Sequence, residues 1–416
     1  MKPKLLTTLR DYSGRLFVAD AFAGVTVAMV ALPLSIAIAI ASGAEPAAGL
    51  VTAIIGGFLI SALGGSRVQI GGPTGAFIVV VYSVIEQFGF DGLLLATLMA
   101  GLILVIAALV RAGSLIALIP EAVIEGFTIG IALIIAVSQL KDLFGLSIAR
   151  LPADFVEAVP ALWESRHSAN LTAAAIGLAS IVAIALLKRR AGSIIVVALA
   201  SAAVALFTFP VETIHSRFGD LPNGLPFPSM PPVTLARISE LLPSALVIAF
   251  LAGVESLLSA IVADRMIGGA HRSNAELLAQ GAANIASPLF GGLPATGAIA
   301  RTAANVRAGG RTPVAGVVHA LAILVFVVAA APLAGYLAMP ALAALLVVTA
   351  WSMSEPHRWR LHLRARPADR FLLLLTMILT VVSDLTVAIA VGTTVGLAQR
   401  LLRRNVEPAE WTPPDR

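Results

Sequence analysis

An acidic residue, Glu255, stands inside an apolar stretch that covers residues 241–263. A carboxylate at mid-membrane depth costs roughly 3 kcal/mol or more, so we expect Glu255 to be protonated, paired or coupled to a transported ion. The alternative is a structural role, in which Glu255 bonds to the backbone of a broken helix. Between these two readings, the sequence favours a role in ion coupling.

Two motifs rich in glycine and proline echo each other in the two halves of the chain. Residues 71–76 read GGPTGA, and residues 291–298 read GGLPATGA. Extended backbone of this kind can lie at mid-membrane depth only where protein or a cavity buries it. Because Pro73 and Pro294 lack an N–H group and suit helix starts, we expect half-helices over residues 73–85 and 295–306. Their free N–H groups would face each other near the membrane midplane and attract an anion.

The residues of these motifs indicate how an anion would be held. Thr74 offers a hydroxyl group, and the backbone N–H groups of Ala298 and Ile299 are predicted to be free. Glycine lets a ligand approach the backbone closely. It also permits tight packing of membrane helices, but the repetition of the motif favours binding. The predicted substrate-binding residues of the motifs are Thr74, Gly75, Ala76, Gly297, Ala298 and Ile299.

The composition predicts that a membrane surrounds these residues. Of the 416 residues, 58% are apolar and only 12% are charged, and the mean hydropathy is +0.95. A soluble protein of this composition would expose large apolar patches, so we expect an integral membrane protein. The formal net charge is only +5, and without a nucleic-acid motif no such partner is expected. The chain has no Cys, and its six His lack metal-ligand spacing, so no metal or cofactor is predicted.

Segments free of Asp, Glu, Lys and Arg predict the spanning helices. The first has 24 residues, or roughly 36 Å of helix, enough to cross a core of roughly 30 Å. The 43 residues 312–354 would form two helices, broken at Pro332 and Pro340. Counting both broken motifs, we expect an all-α polytopic membrane protein with about fourteen membrane segments. The charge-free runs are 21–44, 46–66, 68–85, 92–110, 126–140, 167–187, 191–211, 277–300, 312–354, 371–383 and 385–399, and the apolar segment 241–263, which contains Glu255, completes the set.

The positions of Lys and Arg predict the orientation. With the N-terminus in the cytoplasm, 23 of the 28 cations fall on the cytoplasmic side, as the positive-inside rule requires. We therefore expect both termini in the cytoplasm, an external loop over residues 210–232, and a bacterial inner membrane as the location. The exceptions are Lys141, Arg150, Arg166, Arg217 and Arg237.

The repeated motif also predicts an internal symmetry. Gly75 and Gly297 are 222 residues apart, and seven segments in each half would invert the second half relative to the first. Inverted repeats with interrupted helices at matching positions are typical of secondary transporters. We expect one transporter domain over residues 1–404, with repeats at about 16–210 and 236–404, and a short cytoplasmic tail over 405–416.

Several motifs resemble those of the sulfate permease family of anion transporters. Residues 31–50 are similar to the first-helix signature of that family, and GAAN at 281–284, FGGLP at 290–294, RTAAN at 301–305 and GGRTP at 309–313 are similar to its second-half signature. The resemblance extends from about residue 20 to residue 404. It implies a seven-plus-seven inverted repeat, core and gate domains, and elevator-like alternating access.

The resemblance also implies roles for individual residues. Glu255 and Ser259 would border the anion site, where sodium-coupled bicarbonate transporters carry Asp and Thr. This difference favours a coupled proton over sodium. Arg301 would add positive charge to the site, although it also fits a cytoplasmic cation, and Ile38 would line the site where animal relatives have an aromatic residue. Most members continue into a STAS domain, which residues 405–416 are too few to form, so we expect none here.

Together these features predict a secondary active transporter of a small anion, working by proton-coupled symport or by anion exchange. The sequence does not choose among sulfate, bicarbonate and a dicarboxylate such as fumarate as the substrate. It is also compatible with a homodimer. The alternatives are an uncoupled anion channel and a nucleobase–proton symporter, which would need a second acid near the broken helices. A membrane-embedded enzyme is not expected, because the sequence contains no HExxH, GxSxG or paired-Asp motif.

Overall fold

The computed structural model describes residues 2–113, 120–148, 151–187, 192–383 and 385–402, and it is 78% helical. Two short strands, β1 (Gly71–Gly72) and β2 (Thr296–Gly297), interrupt the helices. The helices are α1 (Lys4–Thr8), α2 (Gly14–Ala41), α3 (Pro46–Val51), α4 (Gly57–Leu63), α5 (Ile78–Leu109), α6 (Glu121–Ser138), α7 (Leu140–Leu143), α8 (Phe155–Glu164), α9 (Leu171–Leu186), α10 (Gly192–Phe207), α11 (Ile214–Phe218), α12 (Leu235–Ile267), α13 (Ser273–Leu289), α14 (Ile299–Ala308), α15 (Val314–Gly335), α16 (Met339–Met353), α17 (Trp359–Arg364), α18 (Pro367–Val382) and α19 (Leu385–Leu402).

Several predicted features lie outside the described residues. They include Arg150, the first residue of the run 191–211, and the predicted tail at 405–416.

Polar side chains fix where several long helices begin. The Ser13 hydroxyl accepts a hydrogen bond from the Leu16 N–H at the start of α2. Thr234 accepts one from the Arg237 N–H at the start of α12. Such N-caps satisfy N–H groups that a helix leaves unpaired. At its other end α12 stops at Gly268, which adopts a left-handed conformation that glycine tolerates.

Long apolar helices identify a multi-pass membrane protein. Within the described residues, six helical segments are long and apolar enough to cross a membrane, and a seventh candidate combines Phe155–Ser168 with Leu171–Leu186 across a 120° bend. Shorter elements such as α10 and α14 fall below that length, so the count of fourteen segments stays a prediction. The six are Gly14–Ala41, Pro46–Leu63, Gly75–Leu109, Glu121–Leu143, Leu235–Ile267 and Val314–Gly335.

Two predicted helix breaks lie at other residues in the structure. The run 68–85 is interrupted, as its glycine motif predicts, but α5 begins only at Ile78, because the preceding residues include an extended strand. The run 312–354 forms the two predicted helices, α15 and α16, but the break between them lies at residues 336–338, and Pro332 lies inside α15. The backbone bends instead at Ala330, before the proline, and the helix resumes.

The helices pack in two groups. Helices α2, α4, α5, α12, α13, α14 and α15 contact one another, with α13 along α5 and α15 along α2. Helices α6, α9, α16 and α18 form the other group, with α18 along α6 and α16 along α9. A large cluster of buried apolar side chains, including Phe77, Ile131 and Leu342, joins them.

The two broken segments meet inside the first group. Strands β1 and β2 pair antiparallel, with Gly71 opposite Gly297 and Gly72 opposite Thr296. All four residues are buried. The pairing provides hydrogen-bond partners for the N–H and C=O groups of this extended backbone within an apolar interior. It also brings the two glycine motifs together.

Candidate anion-binding site

The two helices that face the site begin later than their prolines. A 3₁₀ turn starts at Gly75 and leads into α5, and α14 starts at Ile299. The prediction that Pro73 and Pro294 begin these helices was therefore wrong. The physical reason is the pairing of β1 with β2, which keeps the backbone extended through both motifs. The Pro73 carbonyl instead accepts a hydrogen bond from the Arg301 guanidinium.

Backbone donors are available at both helix starts. In the described part of the chain, the N–H groups of Gly75, Ala76 and Ile299 form no backbone hydrogen bond. The expectation for Ala298 was wrong, because its N–H donates to the Ile70 carbonyl over 2.9 Å and extends the strand pairing. The remaining free N–H groups give each helix start a partial positive charge.

Glu255 faces the first of these helix starts. The Thr74 hydroxyl donates a 2.8 Å hydrogen bond to its carboxylate, and Glu255 is only partly buried. Ser259 lies one turn further along α12 but is fully buried, and its hydroxyl bonds to that of Thr302 at 3.1 Å. The structure therefore brings Glu255 to Thr74, whereas it places the side chain of Ser259 against α14.

Arg301 lies behind the paired strands. It is the third residue of α14, is 3% exposed, and donates from Nη2 to the Ser35 hydroxyl and the Pro73 carbonyl, both at 3.0 Å. Its Nη1 is buried without a hydrogen-bond partner among the residues described. Arg301 therefore supplies positive charge close to Glu255 through the protein interior, where charges are screened less than at the surface.

The two glycines of the motifs serve different neighbours. A Cβ added at Gly75 would lie 3.0 Å from the Met353 sulfur and 3.7 Å from a methyl carbon of Ile135. A Cβ at Gly297 would overlap the amide of Gln69. The amide of Gln69 thus fills the space that a side chain at Gly297 would need. Gly75, in contrast, lies where the two helix groups meet.

The other predicted binding residues are buried around these positions. Ala76 belongs to the 3₁₀ turn that begins at Gly75. Ile38 is 2% exposed and belongs to the main apolar cluster.

A buried polar network beside the strands was not predicted from the sequence. The Glu276 carboxylate accepts hydrogen bonds from the N–H groups of Gly65 and Ser66 at 2.9 and 3.1 Å. Its other oxygen accepts from the amide of Gln69 at 3.1 Å. Ser256 and Gln280 also donate to that oxygen, at 3.1 and 3.0 Å. The network holds Gln69, which directly precedes the strand region, against α12 and α13.

Other polar side chains hold the second broken motif. Asn284 donates to the Ala295 carbonyl at 2.8 Å and accepts from the Ala295 N–H at 2.9 Å. The Thr52 hydroxyl accepts from the Leu293 N–H at 2.6 Å. The spacing of Glu276, Gln280 and Asn284 by four residues on an otherwise apolar helix was the sequence signal for this set.

A cavity opens on one side of the site. Its volume is about 530 Å³, and it lies between the end of α2, the first turns of α5, the end of α6 and the start of α8. Ile78 and Val79 line it and directly follow the 3₁₀ turn that begins at Gly75. Lys141 and Arg217 lie at its wall, and Arg217 is paired with Asp142 at 2.6 Å.

Apolar spanning helices around two paired broken segments define a multi-pass membrane protein of the transporter type. Residues 17–376 match the model of the sulfate permease family. The chain belongs to this family, whose members are transporters and not enzymes.

Curated relatives and solved structures agree with that assignment. "Putative sulfate transporter YvdB" of Bacillus subtilis is 43% identical over 389 residues, which cover 92% of this chain and 73% of that protein. Bicarbonate transporter BicA of Picosynechococcus is 31% identical, over 90% of this chain and 68% of its own length. The transmembrane domain of a cyanobacterial BicA superposes with a TM-score of 0.82 at 28% identity, covering 92% of this chain and 98% of that domain.

A more distant structure shares the fold. SLC26A9 superposes with a TM-score of 0.85 at 18% identity, covering 96% of this chain and 67% of the SLC26A9 chain.

Proposed function

We propose that the chain is a secondary active transporter that binds a small anion between the starts of α5 and α14. The observation that carries this proposal is the hydrogen bond from Thr74 to Glu255, which places the carboxylate beside the first helix start. An acid at that position links the anion site to a group that can gain and lose a proton.

The charges around the site suit an anion. Free N–H groups at Gly75, Ala76 and Ile299 lie at the positive ends of two helix dipoles. Arg301 adds a full positive charge from behind the strands. The negative charge of a bound substrate would offset the buried positive charge of Arg301.

Glu255 is the proposed coupling residue. A proton on its carboxylate would remove a negative charge next to the incoming anion, so proton and anion would favour each other's binding. Sodium is the less favoured ion, because Ser259 bonds to Thr302 and so directs its hydroxyl away from Glu255. Anion exchange uses the same site without a net proton movement and is the alternative form of transport.

The packing supports alternating access of the elevator type. The 3₁₀ turn that begins at Gly75, in the helix group that holds the site, contacts α6 and α16 of the other group. The cavity of about 530 Å³ is lined by residues of both groups, among them Ile78 of α5 and Ile134 of α6. Sliding of one group past the other would carry the site between the two membrane faces, in keeping with an inverted seven-plus-seven repeat and core and gate domains.

The relatives indicate the class of anion. One is named as a sulfate transporter and another as a bicarbonate transporter. We propose sulfate and bicarbonate as the first substrates to test, with a dicarboxylate such as fumarate third. We also propose that the protein lies in the cell membrane with both termini on the cytoplasmic side, and that it forms a homodimer.

Uptake by purified protein in liposomes tests this function. Radiolabelled sulfate, bicarbonate and fumarate would each be supplied outside, with the same anion unlabelled inside in one set and absent in another. We expect saturable uptake of at least one anion, competed by its unlabelled form. Flux that shows unitary currents in planar bilayers and does not saturate would favour a channel and contradict the proposal.

A further inference from the structure

Three basic residues from distant parts of the sequence lie together around the end of α4. The Lys4 N–H donates to the Gly64 carbonyl at 2.9 Å, and the Arg272 N–H donates to the Gly65 carbonyl at 3.1 Å. Arg67 follows two residues later and is exposed. Burial lowers the pKa of the Lys4 ammonium, and the charges of Arg272 and Arg67 lower it further, while Asp264 raises it. The three positive charges are therefore close enough to repel one another.

The nearby acids form their hydrogen bonds with other groups. Asp264 accepts hydrogen bonds from the backbone and the ring of His271, both at 2.7 Å. Glu276 is fully buried, and its carboxylate accepts hydrogen bonds from the N–H groups of Gly65 and Ser66. Arg272 itself donates to the Lys2 carbonyl at 2.7 Å. Within the described residues, no carboxylate forms an ion pair with Lys4, Arg67 or Arg272.

Apolar side chains next to the cluster point to a membrane surface. Leu6 and Leu9 are 60% and 47% exposed on the segment that begins at Lys4. Phe17 and Val18, near the start of α2, are also exposed, at 51% and 67%. A segment that combines a cation with exposed leucines suits the boundary between lipid headgroups and acyl chains.

We propose that Lys4, Arg67 and Arg272 bind the phosphate group of an anionic phospholipid. The phosphate diester would sit among the three cations, and its acyl chains would lie along Leu6, Leu9 and Phe17. The bound headgroup would relieve the repulsion among the cations. It would also hold the loop 64–68, which leads directly to Gln69 and β1 in the anion site.

Lipid titration of the purified full-length chain tests this site. Phosphatidylglycerol or phosphatidylcholine would be added to the protein in detergent, and bound lipids would be counted by native mass spectrometry. The midpoint of thermal unfolding would be followed in parallel. We expect phosphatidylglycerol to bind more tightly than phosphatidylcholine and to raise the midpoint. One cation near a membrane surface is worth about 1 kcal/mol, so Arg67→Gln should weaken the binding about fivefold.

Matched variants and a free anion make the result decisive. Arg67 is the main test because it is exposed and its side chain forms no hydrogen bond among the described residues. Lys4→Gln should have a similar effect, and Arg360→Gln, an exposed cation on α17, should have none. Equal binding of phosphatidylglycerol by wild type and Arg67→Gln would overturn the proposal. So would an equal rise in the midpoint with inorganic phosphate alone, which would show a site for free anions.

Discussion

Thr74 and Glu255 are joined by a hydrogen bond of 2.8 Å, although 181 residues separate them in the chain. One lies in the first glycine motif and the other on the long helix α12 of the second half. This contact orients the carboxylate of Glu255 at the start of α5. The hydroxyl of Thr74 is therefore the first group to remove in a test.

Replacing Thr74 by Val removes the hydroxyl and keeps the shape of the side chain. A hydrogen bond to a charged group contributes about 1.5–3 kcal/mol, so we expect anion uptake to fall about tenfold or more. Thr74→Ser keeps the donor and should retain most of the uptake. Initial rates in proteoliposomes measure both variants. Equal rates for Thr74→Val and wild type would show that the contact has no role in transport.

Adding a methyl group at Gly297 should displace Gln69. The new Cβ would overlap the amide of Gln69, so Gly297→Ala should lower the free energy of unfolding by about 1–3 kcal/mol. Gly14→Ala, where a Cβ meets nothing within 4 Å, is the matched control. The midpoint of thermal unfolding in detergent measures both. If the overlap is the cause, Gly297→Ala should cost much less in a Gln69→Ala background; an unchanged cost would point to another cause.

Glu276→Gln should destabilise the network behind the site. One carboxylate oxygen accepts from Gly65 and Ser66 and the other from three side chains. An amide offers only one acceptor oxygen, so donors on one side lose their partner, at a cost of about 1–3 kcal/mol. Glu86→Gln changes an exposed acid of α5 and should be neutral. Equal unfolding midpoints for the two variants would contradict the importance of the network.

The sequence was sufficient for some of these features and not for others. The charge of Glu255 within an apolar run and the two glycine motifs were visible without the structure. The structure pairs the two motifs and joins Glu255 to Thr74 of the first one. The helix starts and the N–H of Ala298 were predicted incorrectly, because the pairing of β1 with β2 depends on contacts between the two halves. Rules that use only neighbouring residues do not predict such a long-range contact.

The same limit applies to Gln69 and Glu276. Gln69 has no signal in the linear sequence, and the spacing of Glu276 from Gln280 and Asn284 does not reveal that Glu276 contacts Gln69 across 207 residues. The long spanning helices were easier to anticipate, since long apolar runs have few alternatives to spanning helices. Shorter segments, such as α10 and α14, are too short to be identified as spanning helices by their length alone.

Cross-linking tests whether the two helix groups move. The chain has no Cys, so Gly75→Cys with Met353→Cys introduces a defined pair at a contact between the groups. A short thiol-reactive bridge should stop anion uptake, and a reductant should restore it. Each single Cys variant, treated in the same way, controls for modification alone. Full uptake in the bridged protein would contradict movement at this boundary.

Uptake driven by a proton gradient tests the central claim most directly. Proteoliposomes with wild type or Glu255→Gln would receive a labelled anion with the outside more acidic than the inside, and exchange would be measured separately without a gradient. We predict that wild type accumulates the anion above equilibrium, while Glu255→Gln loses accumulation and keeps part of the exchange. Accumulation by Glu255→Gln equal to that of wild type would contradict proton coupling at Glu255.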